Sequence, residues 1–298
     1  MPRFLQVIVA SVCFGTRFHG PVKPAEPGLF APALSLQPFI GLLIGVAASA
    51  LPVFIAAHFR DLQGVMLFAS GIYLFLLEWL TRFDNLHEFD AACRMLAGAG
   101  IPPDERIARR SLPGSSPCTA MLIGLKILLL YLIFMRTALF GDCMMLATIL
   151  VTIPFFGRIA MLFSYPSRGP LRPAGAHAVK PTWVLLAMIL TIVALGLLRI
   201  YGGDFFSFRS MKLTMSGFHS QGGGSVSGVS PLVAIISLGI QDAVAFLAGG
   251  FLSVLYWNTE ASKKLRESPS PFFAGAVCET AELAAMIVFL ILADDLIF

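Results

Sequence analysis

The chain contains seven long apolar runs, each about 17–26 residues, the length an α-helix needs to cross a hydrocarbon core about 30 Å thick. A mean hydropathy of +0.83 with 13% charged residues excludes an ordinary soluble domain of this length. We therefore predict an all-α fold, a polytopic transmembrane bundle of about seven spans that forms a single integral-membrane domain over residues 1–298. The runs are 38–57, 64–80, 119–139, 143–165, 182–198, 231–256 and 274–298.

A shorter apolar run, 4–15, follows Arg3. Its length favours a helix that lies at the membrane interface or re-enters it over a helix that crosses. A cleaved signal peptide is the alternative, but no small-residue cleavage pattern follows the run. We expect a short N-terminal interfacial helix.

Most of the 21 Lys and Arg residues lie in alternate connecting segments, which are the N-terminal one and those after the second, fourth and sixth runs. Because basic segments are retained in the cytoplasm, we predict a multi-pass protein of the cell inner (plasma) membrane. Its insert at about 81–118 would be cytoplasmic and its C-terminus outside. The lipid bilayer is then the main partner, and a homo-oligomer is compatible with the sequence. Nucleic-acid binding is not expected, because no basic stripe with interleaved aromatic residues is present.

Apart from Arg136, Asp294 and Asp295 at their predicted outer ends, the apolar runs contain six ionisable side chains. A charge there is costly unless it is paired or lines a polar cavity. Helix direction places only Asp242 near mid-depth and puts the others toward the cytoplasmic ends of their runs. Snorkelling of the two cations to the lipid headgroups is the alternative interpretation. We expect one cytoplasm-facing polar pocket built from Glu78, Lys126, Arg158, Glu279 and Glu282.

The predicted cytoplasmic insert begins with an acidic stretch. On a helix, Asp84 and Glu88 are four residues apart and share a face, whereas Asp90 lies about 120° away from Asp84. Paired carboxylates at a membrane surface suit Mg²⁺ bound to phosphate oxygens. Arg109 and Arg110, further along the insert, could supply phosphate-binding donors. An ordinary solvated surface is the alternative.

Short motifs follow one another along nearly the whole chain. They are Thr16-Arg17-Phe18, Pro38 with Gly41 and Gly45, Asp84-Asn85 with Glu88, Arg109-Arg110-Ser111, Gly157-Arg158, and Gly275-Ala276 with Glu279 and Glu282. Their order and spacing resemble those of cobalamin synthase, the adenosylcobinamide-GDP ribazoletransferase family of integral membrane enzymes. The chain departs from the family pattern at Ala91 and Arg110, where the family has acids, and over 267–273, where no acid matches the family's aspartate.

The resemblance implies a Mg²⁺-dependent transferase. The adenosylcobinamide phosphoryl group would pass from adenosylcobinamide-GDP to α-ribazole or its 5′-phosphate, with GMP as the leaving group. Such catalysis consists mainly of positioning and charge neutralisation. The implied catalytic residues are Asp84, Glu88, Arg158 and Glu279, the implied Mg²⁺ ligands are Asp84, Glu88 and Asp90, and the implied substrate contacts are Arg109, Arg110, Ser111 and Glu282.

Two other functions stay open from the sequence. The missing acids favour a family member that has lost activity and serves as a membrane scaffold. A small-solute transporter would use Lys126, Asp242 and the glutamates along a permeation path. The absence of similar halves and the gathering of charges at one end argue against transport.

Overall fold

The computed structural model describes residues 2–14, 16–18, 29–59, 62–96, 116–139, 143–164 and 273–294, together with Gly250 and Leu252. Within these residues the regular structure is entirely α-helical, which confirms the predicted class. The helices are α1 (Arg3–Cys13), α2 (Phe30–Ser35), α3 (Gln37–His58), α4 (Gln63–Leu80), α5 (Asp84–Leu96), α6 (Pro117–Leu139), α7 (Cys143–Ser164) and α8 (Phe273–Asp294).

Four helices of the described residues are long and apolar enough to cross a membrane, namely α3, α4, α6 and α8. The apolar stretch Leu146–Leu162 of α7 is shorter, as is α1. Five of the predicted runs therefore coincide with helices. The runs 182–198 and 231–256 lie outside the described residues, apart from Gly250 and Leu252, so seven spans remain a prediction.

Two glycines on α3 allow a close contact with α7. A Cβ atom on Gly41 would lie 2.8 Å from the Cα atom of Phe155, and one on Gly45 would lie 2.5 Å from the carbonyl oxygen of Val151. Small residues four apart let helix backbones approach closely in this way. Because the paired residue numbers rise along α3 and fall along α7, the two helices are antiparallel.

Helices α6 and α8 run parallel. In the first half of each helix, the Nζ atom of Lys126 lies 2.5 Å from Oε2 of Glu279. Near their last turns Nη1 of Arg136 donates to the carbonyl oxygen of Leu290 at 2.8 Å. The N-terminal ends of both helices therefore lie at the same end of the bundle, as expected for two spans that enter from the same side.

A left-handed turn folds α5 back against the start of α8. Arg82 and Phe83 have φ angles of 61° and 58°, and the amide of Phe83 donates to the carbonyl oxygen of Glu78 at 2.8 Å. Bulky residues rarely adopt such angles, which cost about 1–2 kcal/mol each. The turn places the apolar face of α5 on α8, in a small core of Leu86, Phe89, Ala92, Ala276, Val277 and Ala281 with Leu122 and Ala160.

The N-terminal helix packs at the same end of the bundle, where α3 begins. The hydroxyl of Ser11 donates to the carbonyl oxygen of Ala33, and Nε2 of Gln37 donates to the carbonyl oxygen of Ser11, both at 2.9 Å. The guanidinium of Arg17 lies 4.5 Å from the centre of the Trp79 ring. The predicted short N-terminal helix is thus present, and its place at the interface stays a prediction.

Candidate functional site

A buried cluster of charged side chains lies between α4, α6 and α8. At its centre, Nζ of Lys126 lies 2.5 Å from Oε2 of Glu279, 2.7 Å from Oε2 of Glu282 and 3.6 Å from Oε1 of Glu78. All four residues are buried, and Lys126 is 0% exposed. We call Glu78, Lys126, Glu279 and Glu282 the charged cluster. The predicted convergence of these charges is confirmed, and the snorkelling interpretation is wrong for Lys126.

Helix geometry explains why these residues meet. Glu279 and Glu282 are three residues apart and share the face of α8 that points at α6. Glu78 lies in the last turn of α4, and Lys126 lies in the first half of α6. The end of α4 lies at the same end of the bundle as the starts of α6 and α8. The charged side chains of the three helices therefore lie at a similar depth in the bundle.

Arg158 lies beside the charged cluster and is 1% exposed, so it does not snorkel either. Its Nη1 donates to Oε1 of Gln37 at 2.8 Å. The preceding Gly157 leaves room for an acid of the cluster, since a Cβ atom there would lie 2.7 Å from Cγ of Glu282. On the other side, Sγ of Cys278 donates to Oε1 of Glu282 at 3.7 Å. Helix α7 thus adds a cation to the predicted pocket.

The acidic stretch of α5 reaches the first turn of α8. Oε2 of Glu88 accepts a hydrogen bond from the backbone amide of Gly275 at 2.6 Å, and a Cβ atom on Gly275 would lie 2.5 Å from that oxygen. A carboxylate is favourable at a helix N-terminus, where amides lack partners. Nδ2 of Asn85 also donates to Sγ of Cys278, at 3.5 Å. One oxygen of Glu88, a predicted Mg²⁺ ligand, therefore holds α8 in place.

The other predicted Mg²⁺ ligands on α5 lie in different surroundings. Oδ1 of Asp90 accepts from Oγ1 of Thr119 at 2.9 Å, and its Oδ2 pairs with Arg94 at 2.7 Å. Asp84 is half-buried in the first turn of α5. The structure therefore gives both oxygens of Asp90 protein partners and places Asp84 nearer the surface.

The acids of α5 do not converge on one point. Within the described part of the chain, the one group of three acidic, histidine or cysteine ligand atoms within 4.8 Å of one another belongs to Glu78, Glu279 and Glu282. Asp84, Glu88 and Asp90 do not form such a group in this structure. The sequence analysis placed Glu78 in the polar pocket but did not name it as a candidate metal ligand. Its position near the end of the second run was the available signal.

Two acids of the charged cluster have unsatisfied oxygens. Both carboxylate oxygens of Glu78 and Oε1 of Glu279 are buried without a hydrogen-bond partner. A buried polar atom without a partner is costly, and a charged one more so. The donor set, three carboxylates, is one that hard cations such as Mg²⁺ prefer. These residues therefore fit a cation.

Four predicted functional residues lie outside the described residues, namely Arg109, Arg110, Ser111 and Asp242.

In comparisons with models of protein families, with curated proteins and with solved structures, nothing matches this chain. The likeness to cobalamin synthase therefore rests on the sequence motifs.

Proposed function

We propose that this chain is a membrane-embedded phosphotransferase of the cobalamin synthase type. It would use Mg²⁺ to transfer the adenosylcobinamide phosphoryl group from adenosylcobinamide-GDP to α-ribazole or its 5′-phosphate and release GMP. One observation carries the proposal: residues of three separated motifs contact one another at one end of the bundle. They are Asn85 and Glu88 of α5, Gly157 of α7, and Gly275, Cys278 and Glu282 of α8.

The chemistry of a diphosphate suits this end of the molecule. Charge neutralisation and positioning carry most of the catalysis in phosphoryl transfer. Asp84 is half-buried in the first turn of α5, and we place the diphosphate beside it. Arg109, Arg110 and Ser111 would contact the phosphates. When bound there, Mg²⁺ would neutralise charge on the diphosphate oxygens. We assign Asp84 as the protein carboxylate that faces this substrate.

The buried residues have a different place in the proposal. Arg158, Glu279 and Glu282 lie beneath α5, and each is almost fully buried. We assign them to holding α7 and α8 at the distance that the site needs and to setting the electrostatic field behind the substrate. Glu88 holds the first turn of α8 through the amide of Gly275.

The proposed orientation puts this end of the bundle in the cytoplasm. Its support is the concentration of Lys and Arg in the segments that would connect the helices there. Nucleotide substrates reside on that side of an inner membrane. The C-terminus would then lie outside the cell.

Complementation of a cobalamin-synthase-deficient bacterium tests the function. We expect the unaltered chain to restore growth on cobinamide, and Asp84→Asn, expressed at the same membrane level, to fail. GMP release from adenosylcobinamide-GDP by purified protein gives the direct measurement. No growth and no GMP from the unaltered chain would favour the inactive scaffold, and solute counterflow in vesicles without GMP release would favour transport. Equal growth from both chains would remove Asp84 from the site.

A further inference from the structure

The charged cluster and its neighbour Arg158 carry unequal charge. Three carboxylates face two cations, Lys126 and Arg158, and all five side chains are buried. The cation of Arg158 is partly committed elsewhere, because its Nη1 donates to Gln37. An uncompensated charge inside a bundle is very costly. With all three carboxylates ionised, one further positive charge, carried by a proton or a metal ion, is needed to balance these groups.

The unsatisfied oxygens show where that charge belongs. Lys126 makes close contacts with Glu279 and Glu282 but stays 3.6 Å from Glu78. Both oxygens of Glu78 and Oε1 of Glu279 have no hydrogen-bond partner. The side of the cluster away from the ammonium group is therefore the least compensated.

We infer that Glu78, Glu279 and Glu282 bind one hard divalent cation inside the bundle, beside Lys126. One oxygen from each carboxylate lies within 4.8 Å of the other two, which allows a single ion to contact all three. Carboxylate oxygens bind hard cations such as Mg²⁺, Mn²⁺ and Ca²⁺, whereas softer metals prefer sulfur or imidazole ligands. Asp84 is not one of these three ligands, and the inference does not depend on the proposed transferase activity.

Lys126 has a defined part in this site. Its ammonium group already neutralises part of the charge of Glu279 and Glu282, so it lowers the affinity of the site for a metal ion. The same contacts hold α6 and α8 together when no metal ion is bound. Replacement of Lys126 by the apolar Met should therefore make the stability of the bundle depend on the metal.

Binding is measured without substrate on the purified full-length chain in detergent. After EDTA treatment the protein is titrated with Mn²⁺, followed by electron paramagnetic resonance, and Mg²⁺ is added as competitor. We expect one competable Mn²⁺ per chain. Glu78→Gln and Glu279→Gln, which keep side-chain shape, should weaken binding by about 10- to 100-fold. Asp90→Asn is the matched control, because both oxygens of Asp90 contact protein groups, Thr119 and Arg94, and it should bind as the unaltered chain does.

Several results would overturn the inference. They are no Mn²⁺ bound by the unaltered chain, binding by both glutamine variants equal to that of the unaltered chain, or loss of binding in Asp90→Asn alone. Thermal unfolding in EDTA verifies that each variant is folded. As a second measurement, Mn²⁺ should raise the melting temperature of Lys126→Met more than that of the unaltered chain, and an equal or smaller rise would also count against the site. A chain that binds Mn²⁺ but releases no GMP would retain this site and lose only the proposed activity.

Discussion

Replacement of Lys126 by Met removes the cation at the centre of the charged cluster. The side chain is 0% exposed and donates to Glu279 and Glu282 at 2.5 and 2.7 Å. Each such charge-assisted hydrogen bond contributes about 1.5–3 kcal/mol, so their loss together costs about 3–6 kcal/mol. That agrees with the loss of about 3–5 kcal/mol seen when one partner of a buried ion pair is removed. Three buried carboxylates would then face one another.

The free energy of unfolding is measured by titration of mixed micelles with sodium dodecyl sulfate in the presence of EDTA. Lys126→Met should lose at least about 3 kcal/mol relative to the unaltered chain. The double variant Lys126→Met, Glu279→Gln should lose less than the two single losses added together, because one unpaired charge has been removed along with its partner. A loss below about 1 kcal/mol for Lys126→Met would match a solvent-exposed pair and refute the buried arrangement.

Three further predictions concern packing, capping and thiol reactivity. Gly45→Val should destabilise the bundle by about 1–3 kcal/mol, because a Cβ atom there meets backbone of α7, whereas Gly71→Val, with open space at its Cβ, should have little effect on the melting temperature. Glu88→Ala should lower the free energy of unfolding by about 0.5–2 kcal/mol through loss of an amide partner in α8, and a glutamine at that position should restore most of it. Burial, and then the neighbouring Cys118 thiol, raise the pKa of Cys93 to about 12. Since only the thiolate reacts, alkylation at pH 8 should be much slower at Cys93 than at the exposed Cys118 and should accelerate as the pH rises toward 12; equal rates at pH 8 would contradict the structure.

The lengths and positions of the long helices could be predicted from the sequence. The apolar run 38–57 coincides with the helix Gln37–His58, and the run 64–80 coincides with the helix Gln63–Leu80. Run length is set by residue type alone, because a helix in a bilayer must satisfy its own backbone and cover its length with apolar side chains. The gathering of Glu78, Lys126 and Glu279 followed from the same reasoning, since helix direction fixes the depth of each residue.

The hydrogen-bond partners of the carboxylate oxygens on α5 could not be predicted from run length and helix direction. Sequence spacing put Asp84 and Glu88 on one helix face, and the resemblance to cobalamin synthase added Asp90 as a third ligand. In the structure Glu88 holds the amide of Gly275, and Asp90 contacts Thr119 and Arg94.

The tertiary structure also decided which acids can share an ion. Glu78 and Glu279 lie about two hundred residues apart in the chain, and no spacing rule of a single helix relates them. Their distance depends on how α4, α6 and α8 pack around Lys126. Depth along the membrane normal is a property of each helix by itself, whereas ligand geometry depends on the angles and distances between helices, which only the packed bundle sets.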